Sequence, residues 1–117
     1  MSHASPHADT AARLDIAAHA LLTLIADMPA THGRIRAARI VSGFPVAVTD
    51  DIQAQRLHRH AHHFPWRLSD TVGLVDALID GGLLAQSAGP RPTLVLSRAG
   101  HHALDALEAH ANSHQPH

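Results

Sequence analysis

The 117 residues predict a mainly α-helical domain carrying one small β-hairpin. Three observations lead there. Apolar residues recur three and four positions apart through most of the chain, the pattern of helices with one buried face. The period changes only once, at LLAQS and TLVLS, which flank a turn rich in Gly and Pro. The 45% of residues that are hydrophobic are mostly Ala and Leu, with Phe44, Phe64 and Trp66 as the aromatics, so the core is aliphatic and suits helices.

From Ala11 to Met28, the residues Leu14, Ala17, Leu21, Ile25 and Met28 form one apolar stripe along a first helix, closed by Pro29. Thr31 is expected to cap a second helix reaching about Ser42. Ile35, Ala38 and Val41 face inward there, Arg34, Arg36 and Arg39 lie on the other sides, and Gly43 ends it. Phe44 to Val48 is a short connection containing Pro45. Thr49 with Asp50 and Asp51 then offers an N-cap and an acidic first turn to a third helix ending near His60, and Pro65 closes that region. Ser69 is expected to cap a fourth helix, DTVGLVDALID, with Val72, Val75, Leu78 and Ile79 inward and Gly81 and Gly82 as its stop. LLAQS and TLVLS read as two short strands around AGPRP. Ser97 caps a last helix, RAGHHALDALEAHA, in which Ala103, Leu107 and Ala111, or Leu104 and Leu107, face inward. Residues 1–10 and 112–117 lack periodicity and read as disordered tails, leaving a single domain over residues 11–111.

Helices followed by a two-stranded hairpin and a closing helix are the chain order of a winged helix, a helix-turn-helix variant whose hairpin is the wing. The stretches LLTLIADMPATHGRIRAARIVSG, WRLSDTVGLVDALIDGGLL and PTLVLSRAGHHAL resemble the RQC domain, the winged helix of RecQ-type DNA helicases, and more closely its small stand-alone relatives. The resemblance spans most of the chain. It implies binding of duplex or branched DNA without catalysis, mainly through the phosphate backbone, with Arg67, Ser69 and Thr71 at the start of the fourth helix approaching phosphates. It also implies a place in DNA repair, with a helicase or repair protein as partner. The chain departs from the helicases in having neither a motor nor a cysteine zinc module, so no ATPase or unwinding is expected. The hairpin tip, Ala88, Gly89, Pro90, Arg91 and Pro92, has no ring to wedge between base pairs.

Charge agrees with an anionic partner. The net charge is −1, but from Thr31 to Arg98 eight Arg face five Asp, a balance of +3, while outside that window Arg13 faces four Asp and one Glu, a balance of −4. Arg67, Arg91 and Arg98 are read as one phosphate-facing surface and Arg34, Arg36, Arg39, Arg56 and Arg59 as a second row, with the amides of the fourth helix adding donors and Asp70 opposing them. The lack of Cys excludes disulfides, thiol nucleophiles and cysteine zinc sites and suits the cytoplasm. No apolar run approaches the roughly 20 residues that span a bilayer. With no P-loop and no Gly-x-Ser-x-Gly elbow, neither an enzyme nor a cofactor is expected. Arg without Lys, beside abundant Ala and His, looks like codon choice in a GC-rich, bacterial genome.

The stretch LHRHAHHFPW, residues 57–66, holds four His and two aromatics. It reads as a metal site, a pH-sensitive surface, an edge of a nucleic-acid contact or a compositional accident. His58 and His62 lie at the i, i+4 spacing that lets two imidazoles share a metal on a helix, but no third ligand is fixed by spacing, so no metal is assigned. Protonation near pH 6 would add His58, His60, His62 and His63 to Arg56 and Arg59. Phe64 and Trp66 are expected to anchor the loop in the core. Two other roles stand beside DNA binding: a winged helix for protein interaction or dimerisation through the first and last helices, and a transcription regulator on paired half-sites. The sequence leaves the oligomeric state open.

Overall fold

The computed structural model describes the backbone of residues 6–113 and the side chains of residues 14–110. Five helices and one hairpin follow in the order α1 (Pro6–Asp27), α2 (Arg34–Val41), α3 (Asp51–Arg59), α4 (Leu68–Asp80), β1 (Leu84–Gln86), β2 (Leu94–Leu96) and α5 (Arg98–Ser113). The molecule is mainly helical with a two-stranded antiparallel hairpin, an order compatible with a winged-helix-like arrangement. None of the described helices is long and apolar enough to cross a membrane.

The apolar stripe of α1 forms the centre. Ala17, Leu21, Leu24 and Ile25 are fully buried, and α1 touches α2, α4, α5 and β2. Leu14, expected inward, is 41% exposed, because the stripe is covered only from Ala17 onward. The helix begins at Pro6 rather than Ala11, so residues 6–10 of the expected tail are helical. A proline suits a first helical position, where its missing N–H would have had no partner. Expectations for residues 1–5 and 114–117, and for the Ala111 side chain, lie outside the described residues.

Thr31 does not cap α2. Its hydroxyl donates to the Pro29 carbonyl at 3.0 Å. The backbone around it joins the hairpin instead: Ala30 N–H donates to the Leu94 carbonyl at 3.0 Å, and Leu94 N–H to the His32 carbonyl at 2.8 Å. Backbone committed to β2 cannot also open a helix, so α2 starts at Arg34 after Gly33, without a side-chain cap. Its buried residues are Ala37, Ala38, Ile40 and Val41, and Ile35, expected inward, lies across the helix from them and is 50% exposed.

The remaining starts follow local chemistry. Asp50 caps α3 by accepting from Gln53 N–H at 2.7 Å, while the Gln53 side chain accepts from Thr49 N–H at 2.8 Å, a reciprocal cap. Ser69, expected to cap α4, is its second residue. The cap position is Arg67, whose side chain has no acceptor, and Asp70 accepts from its N–H at 3.2 Å. Gly82, at φ +80°, turns the chain out of α4. The hairpin pairs Leu84 with Leu96 and Gln86 with Leu94, burying Leu84 and Leu94 against the core. Ser97 caps α5 as expected, accepting from Gly100 N–H at 3.0 Å and donating to the Gly82 carbonyl. Leu104 of α5 is buried, with Ala103 and Leu107 packed beside it.

Candidate nucleic-acid interface

An arginine offers a phosphate the charge and the N–H donors that the fold leaves over, so the partners of each one sort the predicted residues. Arg34 donates through Nε and Nη2 to both carboxylate oxygens of Asp76, at 2.6 and 2.7 Å, a bidentate pair that ties α2 to α4. The pairing holds the Asp76 carboxyl below, and the Arg34 guanidinium above, its ordinary pKa. Arg36 donates Nη2 to the Ala47 carbonyl at 2.6 Å and Nε to His32 Nδ1 at 3.1 Å. Arg39 donates twice to the Pro45 carbonyl, at 3.0 and 3.2 Å, and lies over the Phe44 ring at 5.8 Å. Of the expected second row, the three arginines on α2 thus bond within the fold, Arg34 to a carboxylate of α4 and Arg36 and Arg39 to carbonyls of the 44–48 connection, where both keep their charge and further N–H donors.

Thr71 is corrected as well. It is fully buried, and its hydroxyl accepts from Ser42 at 2.8 Å, which joins α4 to the end of α2. It cannot reach a phosphate. Ser69 is exposed on the first turn of α4. Arg67 at the start of α4, Arg91 in the hairpin tip and Arg98 at the start of α5 are exposed, with no side-chain hydrogen bond or ion pair among the described residues.

The stretch from Leu57 to Trp66 divides by function. Leu57 is the buried residue of α3, and His60, 8% exposed, donates from Nε2 to Asp27 at 2.8 Å. That bond is the main reason the Asp27 carboxyl sits below its usual pKa. Helix α3 ends at Arg59, so His62 lies beyond it and the helical i, i+4 pair with His58 does not form. Among the described residues no three His, Asp or Glu gather as a metal set. Phe64 packs against the core as expected, and a stack runs from His62 over Phe64, 5.5 Å between centroids, to Trp66 at 5.3 Å.

A cleft of about 290 Å³ beside this stretch was not legible in the sequence. Ile16, His19, Ala20 and Thr23 of α1 line one wall and Arg59 and His62 the other. Burial, and then the charges of His60, His19 and His63, lower the His62 pKa. Their spacings of three and four along α1 put His19 and Thr23 on one face, but only the fold sets that face against Arg59.

No family model matches the chain, and no curated protein or solved structure is significantly similar to it.

Proposed function

We propose that the chain is a non-catalytic DNA-binding module of the winged-helix type, contacting duplex or branched DNA through phosphates. Its RQC-like motifs suggest this reading, and the pairing of residues 30–32 with β2 supports the fold part of it, because a winged helix pairs its wing with the segment between its first two helices. The observation that carries the functional part is the placement of three of the unpaired arginines. Arg67, Arg91 and Arg98 stand at the start of α4, the hairpin tip and the start of α5, while Arg34 is paired with Asp76 and Arg36 and Arg39 bond backbone carbonyls of the 44–48 connection. Ser69 adds a hydroxyl beside Arg67, and Asp70, engaged with the Arg67 N–H, reduces the pull of the α4 N-terminus on anions.

Fluorescence anisotropy with single-stranded, duplex and forked oligonucleotides at several salt concentrations, chelator present, tests this. Three guanidiniums neutralising three phosphates give a slope of log K on log salt of about −3, and Arg91→Ala brings it to about −2. Absence of binding at low salt would sink the proposal, as would a slope unchanged by replacing all three.

A second reading, association through apolar surface, is favoured by a specific observation. Ile35, Phe44, Val48 and Ile52 are exposed on and between α2 and α3, with Ile52 at 72%, and Leu14 and Ile16 are exposed on α1. Surface of this kind on a small domain marks contact with another chain.

A further inference from the structure

We infer that the cleft between α1 and the end of α3 is a binding site for a phosphate-type dianion, held by Arg59, His19, His62 and Thr23 and filled as His62 takes up a proton. The site is distinct from the arginines of the proposed DNA contact, and the inference does not rest on that contact.

The lining chemistry selects the ligand. The polar groups at the wall are one guanidinium, two imidazoles and one hydroxyl, with no carboxylate among them, a set that donates to an oxyanion once the rings are charged. Among the described residues the Arg59 guanidinium, the Thr23 hydroxyl and the nitrogens of the His19 and His62 rings make no hydrogen bond, so their donors are uncommitted. A metal fits less well, since the guanidinium repels a cation and no third ligand is present among the described residues.

The other charged groups on the packed elements set the balance. On α1, the Asp27 carboxylate bonds His60 and also lies within the field of Arg56 and Arg59, and Asp15 stands one turn before His19 at the i, i+4 spacing, so two carboxylates outside the cleft lining oppose an anion. On α3, Asp51 is at the opposite end of the helix, and Arg56 adds positive charge. His60 and His63 stand near His62 and act against its protonation. The negative end of the α3 dipole also opposes an anion. Arg59 alone therefore holds an anion weakly, and charging His62 supplies the rest. Conversely, a bound dianion offsets the crowding of like charge around His62 and favours its proton, so binding is linked to proton uptake.

Sulfate is the direct probe, because it stays a dianion throughout the range in which the imidazoles titrate. Calorimetric titration of the full chain with sodium sulfate at pH 7.5 and 5.5, at constant ionic strength, is expected to show one ion per chain, about tenfold tighter at the lower pH, with proton uptake. Arg59→Gln and His19→Gln each weaken sulfate about tenfold at pH 5.5, whereas Arg98→Gln does not change it. Ring resonances of His19 and His62 shift on titration in the unaltered chain. The inference is overturned if sulfate does not saturate, if its affinity is the same at both pH values, or if Arg98→Gln weakens it as much as Arg59→Gln. Displacement of sulfate by a short duplex assigns the site to a nucleic-acid backbone, and retention of sulfate assigns it to a free phosphate group. Either result keeps the site.

Discussion

Lowering the pH from 6.5 to 4 removes about 3 kcal/mol of folding stability through one side chain, His32. The ring is fully buried. Nδ1 accepts from Arg36 Nε at 3.1 Å, so the proton resides on Nε2, which faces Met28 Sδ at 3.5 Å. Charging the ring would place a proton on the nitrogen that the guanidinium already donates to, and no carboxylate is among its hydrogen-bond partners. Burial first, then the charges of Arg36 and His60, depress its pKa from 6.5 to about 4. The sign follows from which state protonates first. The unfolded chain takes up the proton near pH 6.5 and the folded chain only near 4, so the stability is fully present above 6.5, falls between the two values and is gone below 4. Asp27 and Asp76, whose folded pKa values are lowered from 3.8, lose their contributions mainly below this window. His62 is shifted in the same direction as His32, so the comparison must isolate one ring. Urea unfolding at pH 7 and pH 4 does so with His32→Gln, which keeps an amide in the cavity and cannot titrate. The variant is expected to be weaker at pH 7 yet to lose about 3 kcal/mol less on acidification than the original chain. Parallel pH profiles would show that His32 is not held neutral by the fold.

The same residue shows where sequence reading stops. His32 lies next to a threonine and a glycine in a segment that looks like a helix start, but its backbone is paired with β2, where Leu94 N–H donates to its carbonyl. Local pattern accounts for the elements whose ends depend on neighbours. The capped start of α3 within Thr49 to Asp51 and the Ser97 cap were legible because an N-cap needs only the next three residues, and so was the hairpin because its strands are separated by one turn. The start of α2, the burial of Thr71 and the loss of Arg34 as a phosphate partner were not legible. Each depends on a contact across the fold, with Leu94, Ser42 and Asp76 respectively. The candidate surface follows the same division. Arg67, Arg91 and Arg98 remained available because no folded neighbour claims them, a fact about the rest of the chain rather than about the arginines.

Two glycines on helices give substitutions of opposite sign, and the larger effect falls on Gly100. An intrinsic preference of about 1 kcal/mol favours Ala over Gly inside a helix, so both Gly73→Ala in α4 and Gly100→Ala in α5 would stabilise if propensity decided alone. At Gly73 it does decide. A Cβ there meets nothing within 4 Å, and the variant is expected to gain about 0.5–1 kcal/mol. At Gly100 a Cβ would overlap the Leu83 carbonyl oxygen and touch Leu96 Cδ2 at 3.3 Å. That carbonyl cannot yield easily, since it also accepts from Ser97 N–H at 3.1 Å, and the Ser97 hydroxyl caps the same turn while donating to Gly82. The methyl therefore pushes α5 away from the exit of α4 and opens the seat of Leu104 against the core. Overpacking against fixed backbone outweighs the helix preference, for a net loss of about 3 kcal/mol. In a domain of this size that lowers Tm by roughly 10–20 °C, while Gly73→Ala raises it by a few degrees. Thermal melts of the two variants beside the original chain decide the matter. If Gly100→Ala melted at or above the original temperature, the first turn of α5 would not be seated on Leu83, and the start of α5 that carries Arg98 would lose the contact that holds it beside the hairpin.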